Sequence, residues 1–147
     1  MKFLQILFKS IILLTIGAGI YYGIEVLWRG YSHPTMLAAG AICFIAIGML
    51  NDTIFEWDMS FTSQMFLSGV VVTAIELMFG LILNVWLGLR VWDYSDQYLN
   101  FMGQICIAYF GLWQLLSVIA IPLYDWTDYT LCKLLKLDAV RPLYKLI

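Results

Sequence analysis

The sequence predicts an all-α integral membrane protein, a four-helix transmembrane bundle with a C-terminal amphipathic interfacial helix. Three observations predict it. Hydrophobic residues make up 63% of the 147-residue chain and charged residues only 12%, with a mean hydropathy of +0.87. A soluble domain carries about 25% charged residues, so a chain this short has too few to cover its apolar surface in water. The apolar residues also fall into four long runs, and a membrane helix needs about 20 residues at 1.5 Å each. Finally, the tail mixes apolar positions with Lys133, Lys136, Arg141 and Lys145, as a helix lying on a membrane surface does. Spans are expected over roughly 5–28, 34–50, 62–88 and 101–123. Residues 1–126 then form the bundle, and 127–147 form a cytoplasmic amphipathic tail.

The first run reads "FLQILFKSIILLTIGAGIYYGIEVLW". Its small residues in "TIGAG" invite a signal-peptide reading, but the run continues through Tyr21, Tyr22 and Ile24 to Trp28 and is long enough to span. Lys9 can carry its charge to the interface on its long stem. Gly19 and Gly23 have the GxxxG spacing that lets a neighbouring helix approach.

Pro34 suits the first turn of the second helix, with Ser32 or His33 as its cap. Ala38, Ala39, Gly40 and Ala41 form a small-residue band, and Asn51 and Asp52 end the helix. Its apolar core is short and needs flanking residues or a locally thinned bilayer. The polar break "DTIFEWDMSFTSQ" follows, with aromatic residues suited to an interface.

The third run, "MFLSGVVVTAIELMFGLILNVWLGL", holds Glu76 and Asn84. Helical spacing places Glu76, Gly80, Asn84 and Gly88 on one stripe. That stripe must face protein, because a charge at the bilayer centre costs several kcal/mol. The fourth run, "FMGQICIAYFGLWQLLSVIAIPLY", is closed by Pro122. Of the six tryptophans, Trp28, Trp57, Trp86, Trp92 and Trp126 fall near span ends, as in an interfacial belt, while Trp113 lies deeper and belongs to the core.

Basic residues orient the bundle. Lys2 and Lys9 flank its start and four more basic residues crowd its end, so both termini belong in the cytoplasm. The Arg29–His33 and Arg90–Asn100 loops then face outward. Glu25 and Arg29 share one helix face at i,i+4 and lie near the outer surface. Asn84, Arg90, Asp93, Asn100 and Gln104 reach a similar level from other segments. Distant stretches thus converge on one polar cluster.

Several chemistries are set aside. A net charge of −2 offers no basic face for nucleic acid. Cys43, Cys106 and Cys132 have no CxxC spacing, form neither a disulfide framework nor a zinc site, and read as packing residues. The lone His33 with Ser32, Asp93 and Ser95 lacks a GxSxG frame, and a single histidine is poor evidence for a metal, so no catalytic residue, metal ligand or cofactor site is assigned. The chain carries no Walker A sequence, so any ATPase belongs to a separate subunit.

The ordered fragments "IE", "GLILN", "VWDYS", "N" and "GQIC", from Ile75 to Cys106, with "EVLWRGYSHPTML" upstream, resemble the ABC-transporter type IV, CmpB-like, family of small bacterial membrane proteins. The resemblance spans about residues 20 to 120. It implies a transporter-type subunit of the cell membrane. It directs attention to Glu25, Arg29, Glu76, Asn84, Trp92, Asp93, Tyr94, Ser95, Asn100, Gly103 and Gln104. Many relatives have a proline after "WDYS"; this chain reads "DQYLN", with Tyr98.

The leading expectation is a permease-like or solute-binding subunit of the bacterial inner membrane, with its polar site near the outer face. Its partners are the lipid bilayer, a second copy or larger membrane complex, and a separate ATPase. The alternatives are a non-transport scaffold or regulator, and an enzyme acting on a lipid or polyprenyl substrate. Asp93 is expected to hold an ordered "VWDYS" loop. Arg29 is expected to turn inward onto an acid or carbonyl of the Asn84–Asn100 segment, with Glu25 completing the network.

Overall fold

The computed structural model describes residues 2–54 and 58–145, and the side chains of all of these except 52 and 53. Four α-helices follow in order: α1 (Lys2–Arg29), α2 (Thr35–Met49), α3 (Phe61–Gly80) and α4 (Ile107–Leu134). Two π-helical segments extend them, Leu50–Ile54 after α2 and Leu81–Trp86 after α3. Among the described residues the only extended pairings are two isolated bridges. Three helical stretches, Lys2–Arg29, Phe61–Trp86 and Ile107–Leu134, are long and apolar enough to cross a membrane, and Thr35–Met49 is shorter.

Helix α1 lies along α2, α3 lies along α4, and α2 also packs on α3 and α4. The α1–α2 approach is close because both helices present a glycine. A Cβ at Gly17 would strike the Phe44 side chain and come within 3.0 Å of the Gly40 carbonyl oxygen. A Cβ at Gly40 would strike Tyr21 and lie 2.9 Å from the Gly17 carbonyl oxygen. Gly19 and Gly23, the expected contact pair, face open space instead. Two positions i,i+4 apart share a face, but not the face that meets α2.

Apolar contacts form three clusters. Met36, Ala39, Leu83, Val91 and Trp92 join the start of α2 to the end of α3 and the loop beyond it. Cys43, Ile47, Val72 and Ile121 join the middles of α2, α3 and α4. Leu13, Phe44 and Tyr124 tie α1, α2 and α4 together toward the other end. The three cysteines are buried and unbridged. Phe3, Leu4, Phe8, Leu27, Leu115 and Ile119 remain exposed.

Several expected boundaries shift. The third helix changes to π geometry after Gly80, and the chain then turns at Gly88, whose φ is +66°. The π segment moves Gly88 off the Glu76–Gly80–Asn84 stripe and leaves it exposed. The fourth helix begins at Ile107 rather than 101. Met102 and Gly103 have positive φ, and Phe101 N–H bonds back to the Ile105 carbonyl. It also runs through Pro122 to Leu134 instead of stopping there. Proline removes one helical hydrogen bond, but the next turn is anchored by burial of Ile121, Tyr124 and Asp125.

In place of the separate interfacial helix expected over 127–147, the described residues to 145 form the end of α4 followed by non-helical chain. That chain folds back onto the bundle. Phe61 N–H donates to the Lys145 carbonyl at 2.6 Å, and the Tyr144 ring packs edge-on against Phe61. Lys9 does not reach for an interface either; it pairs with Asp128 of α4 at 2.7 Å. Trp92 is buried rather than part of a belt, Trp28 and Trp86 are exposed, and Trp57 lies outside the described residues.

Candidate functional site

The site occupies the end of the bundle where α1 and the π segment finish and α4 begins. Its first component is set by helical spacing. Glu25 and Arg29 stand one turn apart on α1, and Arg29 Nη2 donates to Glu25 Oε1 at 2.8 Å. Arg29 Nη1 reaches the Val91 carbonyl at 3.2 Å, so the guanidinium turns inward onto the loop after α3. Its carbon sits 5.1 Å from the centre of the Tyr31 ring. Ser32 donates its hydroxyl to the second oxygen of Glu25. The pair is mostly shielded, with Arg29 and Glu25 side chains 23% and 17% exposed.

Val91 links this pair to a second group. Asn84 projects from the π segment, a geometry often found at functional sites. Its Oδ1 accepts from Val91 N–H at 2.6 Å, and its Nδ2 donates to the Trp92 carbonyl at 3.1 Å and to Gln104 Oε1 at 2.8 Å. Trp92 Nε1 donates to the Gln104 carbonyl at 2.9 Å. Gln104 Nε2 closes onto the Met102 carbonyl. Each of these groups meets a partner inside the protein, so the network holds the Leu87–Cys106 loop against the bundle.

Gly80 allows Gln104 to approach, since a Cβ there would lie 2.6 Å from Gln104 Oε1. The outer part of the loop is ordered by its own turns. Asp93 Oδ1 accepts from both the backbone N–H and the hydroxyl of Ser95. These bonds, with Arg90 nearby, hold the Asp93 carboxyl below its usual range. Asn100 donates to the Ser95 and Gln97 carbonyls and accepts from Gly103 N–H.

Glu76 forms the third component. It is 5% exposed, and Tyr94 OH and Trp113 Nε1 donate to its two oxygens at 3.0 and 2.9 Å. It makes no ion pair among the described residues. Tyr94 stacks on Tyr109 with ring centres 4.3 Å apart, and Trp113 stacks on Tyr21 at 5.6 Å. Tyr109 and Trp113 are 6.3 Å apart and complete a ribbon of four rings.

Two cavities adjoin these groups. One, of about 260 Å³, is lined by that ribbon together with Glu25, Arg29, Trp28 and apolar residues of α1 and α4. The other, of about 410 Å³, is lined by Asn84, Arg90, Trp92, Asp93, Ser95 and Gln104, with Met102. The loop serves both, with Trp92, Asp93 and Ser95 on one cavity and Tyr94 on the other.

The structure brings Glu25, Arg29, Glu76, Asn84, Arg90, Trp92, Asp93, Tyr94, Ser95 and Gln104 into these groups or cavities, and Asn100 into the loop turns with Gly103. His33 stands apart. Its Nδ1 accepts from Thr35 N–H at 3.3 Å, capping α2, and meets neither serine of the loops. Tyr21, Tyr109 and Trp113 were not singled out. The i,i+4 spacing of Tyr21 with Glu25, and of Tyr109 with Trp113, is the signal that marks them.

A second buried polar group, absent from the sequence reading, lies toward the other end. Gln64 donates to Asn51, and Asn51 and Tyr144 donate to Asp125. Its members are scattered over α3, the π segment after α2, α4 and the tail.

No curated protein and no solved structure matches the chain. Residues 12–141, nearly its whole length, match the family described as "Putative ABC-transporter type IV". The chain belongs to that family.

Proposed function

We propose that the protein is a permease-like, solute-binding subunit embedded in the bacterial inner membrane, with both termini in the cytoplasm. The observation that carries this reading is the convergence of Glu25, Arg29 and Tyr94 on the 260 Å³ cavity, with Glu76 of a third segment hydrogen-bonded behind Tyr94. Ionisable residues at membrane depth face protein or a pathway and mark function by default. Family membership and three helices of spanning length support it. Four helices offer few walls for a pathway, so the subunit works with a second copy or a larger complex, and a separate ATPase supplies energy.

The test is melting temperature in lipid nanodiscs against a panel of small anionic, cationic, zwitterionic and neutral solutes. A saturable rise with one solute, lost in Glu25→Gln and in Arg29→Lys variants that remain folded, supports a binding site. Lysine cannot reproduce the guanidinium fork that spans Glu25 and Val91.

One observation favours a second reading, a scaffold or regulator without transport. The Asn84–Gln104–Trp92 network satisfies its own members. A response that stays flat across the panel, with a partner retained on the same face, supports that alternative.

A further inference from the structure

The 260 Å³ cavity is unusual in what lies behind its aromatic wall. Tyr94 and Trp113 line the cavity, and both aim their polar hydrogens away from it, at Glu76. A phenol or indole that donates to a carboxylate becomes richer in electrons, which deepens the negative potential over its ring face. Tyr109 and Tyr21 stack on these two rings and complete the aromatic lining.

Two acidic side chains, Glu25 and Glu76, and one basic side chain, Arg29, lie at or beside the cavity. Arg29 is matched by Glu25, and its two terminal nitrogens are already committed to Glu25 and to the Val91 carbonyl. Glu76 has no cationic partner among the described residues within ion-pair distance. Its two donors are neutral. The cavity beside it is open and lined with aromatic rings, which attract cations.

Resting on the solute-binding reading above, we propose that the 260 Å³ cavity binds an organic ammonium group, held among the rings of Tyr94, Tyr109 and Trp113, with Glu25 at its rim and Glu76 behind the wall. Ring faces bind ammonium groups when the nitrogen lies within about 6 Å of the centroid, most strongly where water is excluded. The volume falls just below the roughly 300–1,000 Å³ of drug-sized pockets, which suits a headgroup-sized cation. Ile24, Leu112 and Leu116 continue the lining as an apolar strip that can accept a hydrocarbon chain. The ammonium can therefore come from a lipid headgroup or from a soluble amine.

The experiment is a melting titration of the full chain in nanodiscs of phosphatidylglycerol alone. The probes are choline, ethanolamine, sodium phosphate and 3,3-dimethyl-1-butanol, the uncharged isostere of choline. A parallel arm replaces half of the lipid with phosphatidylethanolamine. The proposal expects choline or ethanolamine, or the ethanolamine lipid, to raise the melting temperature saturably. The isostere and phosphate should have no effect. Tyr109→Leu should abolish the shift and Tyr109→Phe, which keeps the ring face, should retain it. A shift with the soluble amines identifies a soluble ligand; a shift only in the lipid arm identifies a headgroup.

An equal response to the isostere, or a response to phosphate alone, overturns the ammonium assignment and leaves the solute-binding reading standing. A response that survives Tyr109→Leu removes the aromatic wall from the site and also overturns it. No response to any probe, combined with the flat solute panel described above, overturns both.

Discussion

At the residue scale, the polar positions hold the loop, line a cavity, or do both. Asn84 does both: it lines the 410 Å³ cavity, and three of its hydrogen bonds fasten the loop and Gln104. Asn84→Ala leaves Val91 N–H and Gln104 Oε1 without these partners. Each buried group so stranded costs about 1–3 kcal/mol, and a clear drop in melting temperature is the expected outcome. Asp93 gives a pH signature. Its carboxyl is held low by the two Ser95 bonds first and by Arg90 second. The turn is therefore fully supported above the ordinary aspartate value of about 3.9 and loosens as pH falls through the lower folded value. The Ser95 amide resonance should titrate with a midpoint below that value, and Ser95→Ala should move the midpoint of Asp93 upward. Glu25 and Arg29 were legible in the sequence because i,i+4 spacing is a local property of one helix. Glu76 was legible as a rare intramembrane acid, but its partners were not. Trp113 lies on another helix, and only tertiary packing brings its indole to the carboxylate.

At the element scale, the helices were readable and their ends were not. Hydropathy located α1, and α3 together with its π extension, to within a few residues, because long apolar runs leave little choice of register. The π segment Leu81–Trp86 has no distinct composition, so the displacement of Gly88 from the Glu76 stripe could not be seen in advance. Pro122 misled in the opposite direction: a single missing hydrogen bond does not end a helix whose flanking turns are well buried. The glycines offer a direct test. Gly17→Ala and Gly40→Ala should each separate α1 from α2 and cost about 1–3 kcal/mol through overpacking. Gly19→Ala and Gly23→Ala meet only open space and should be neutral or gain up to about 1 kcal/mol of helix propensity. Thermal denaturation of the four variants in one detergent checks the contrast. Equal losses at all four positions would return Gly19 and Gly23 to the helix contact.

At the scale of the whole molecule, two polar groups sit toward opposite ends of the bundle, and only one was visible in the sequence. The loop after α3 concentrates its polar residues within a short stretch, whereas Asn51, Gln64, Asp125 and Tyr144 are far apart in the chain. Lys9 and Asp128 fasten α1 to α4 near that second group. The pair is partly screened, with side chains 19% and 16% exposed. Lys9→Ala should therefore cost on the order of 1–3 kcal/mol, less than the loss of one partner from a fully buried pair. A double-mutant cycle with Asp128→Asn measures the coupling. The orientation is tested separately. A cysteine placed at Asp96 should react with an impermeant reagent added outside, and labelling from the cytoplasmic side alone would invert the proposed topology. The returning tail has a consequence for biosynthesis. Residues 144 and 145 leave the ribosome about eighty residues after Phe61, which at 5–20 residues per second is a delay of roughly 4–16 s. Throughout that interval Phe61 N–H lacks its Lys145 acceptor, and from its own synthesis until residue 144 emerges Asp125 lacks the Tyr144 hydroxyl. The bundle can be inserted during synthesis, but this end of it closes only after residue 145 has been made.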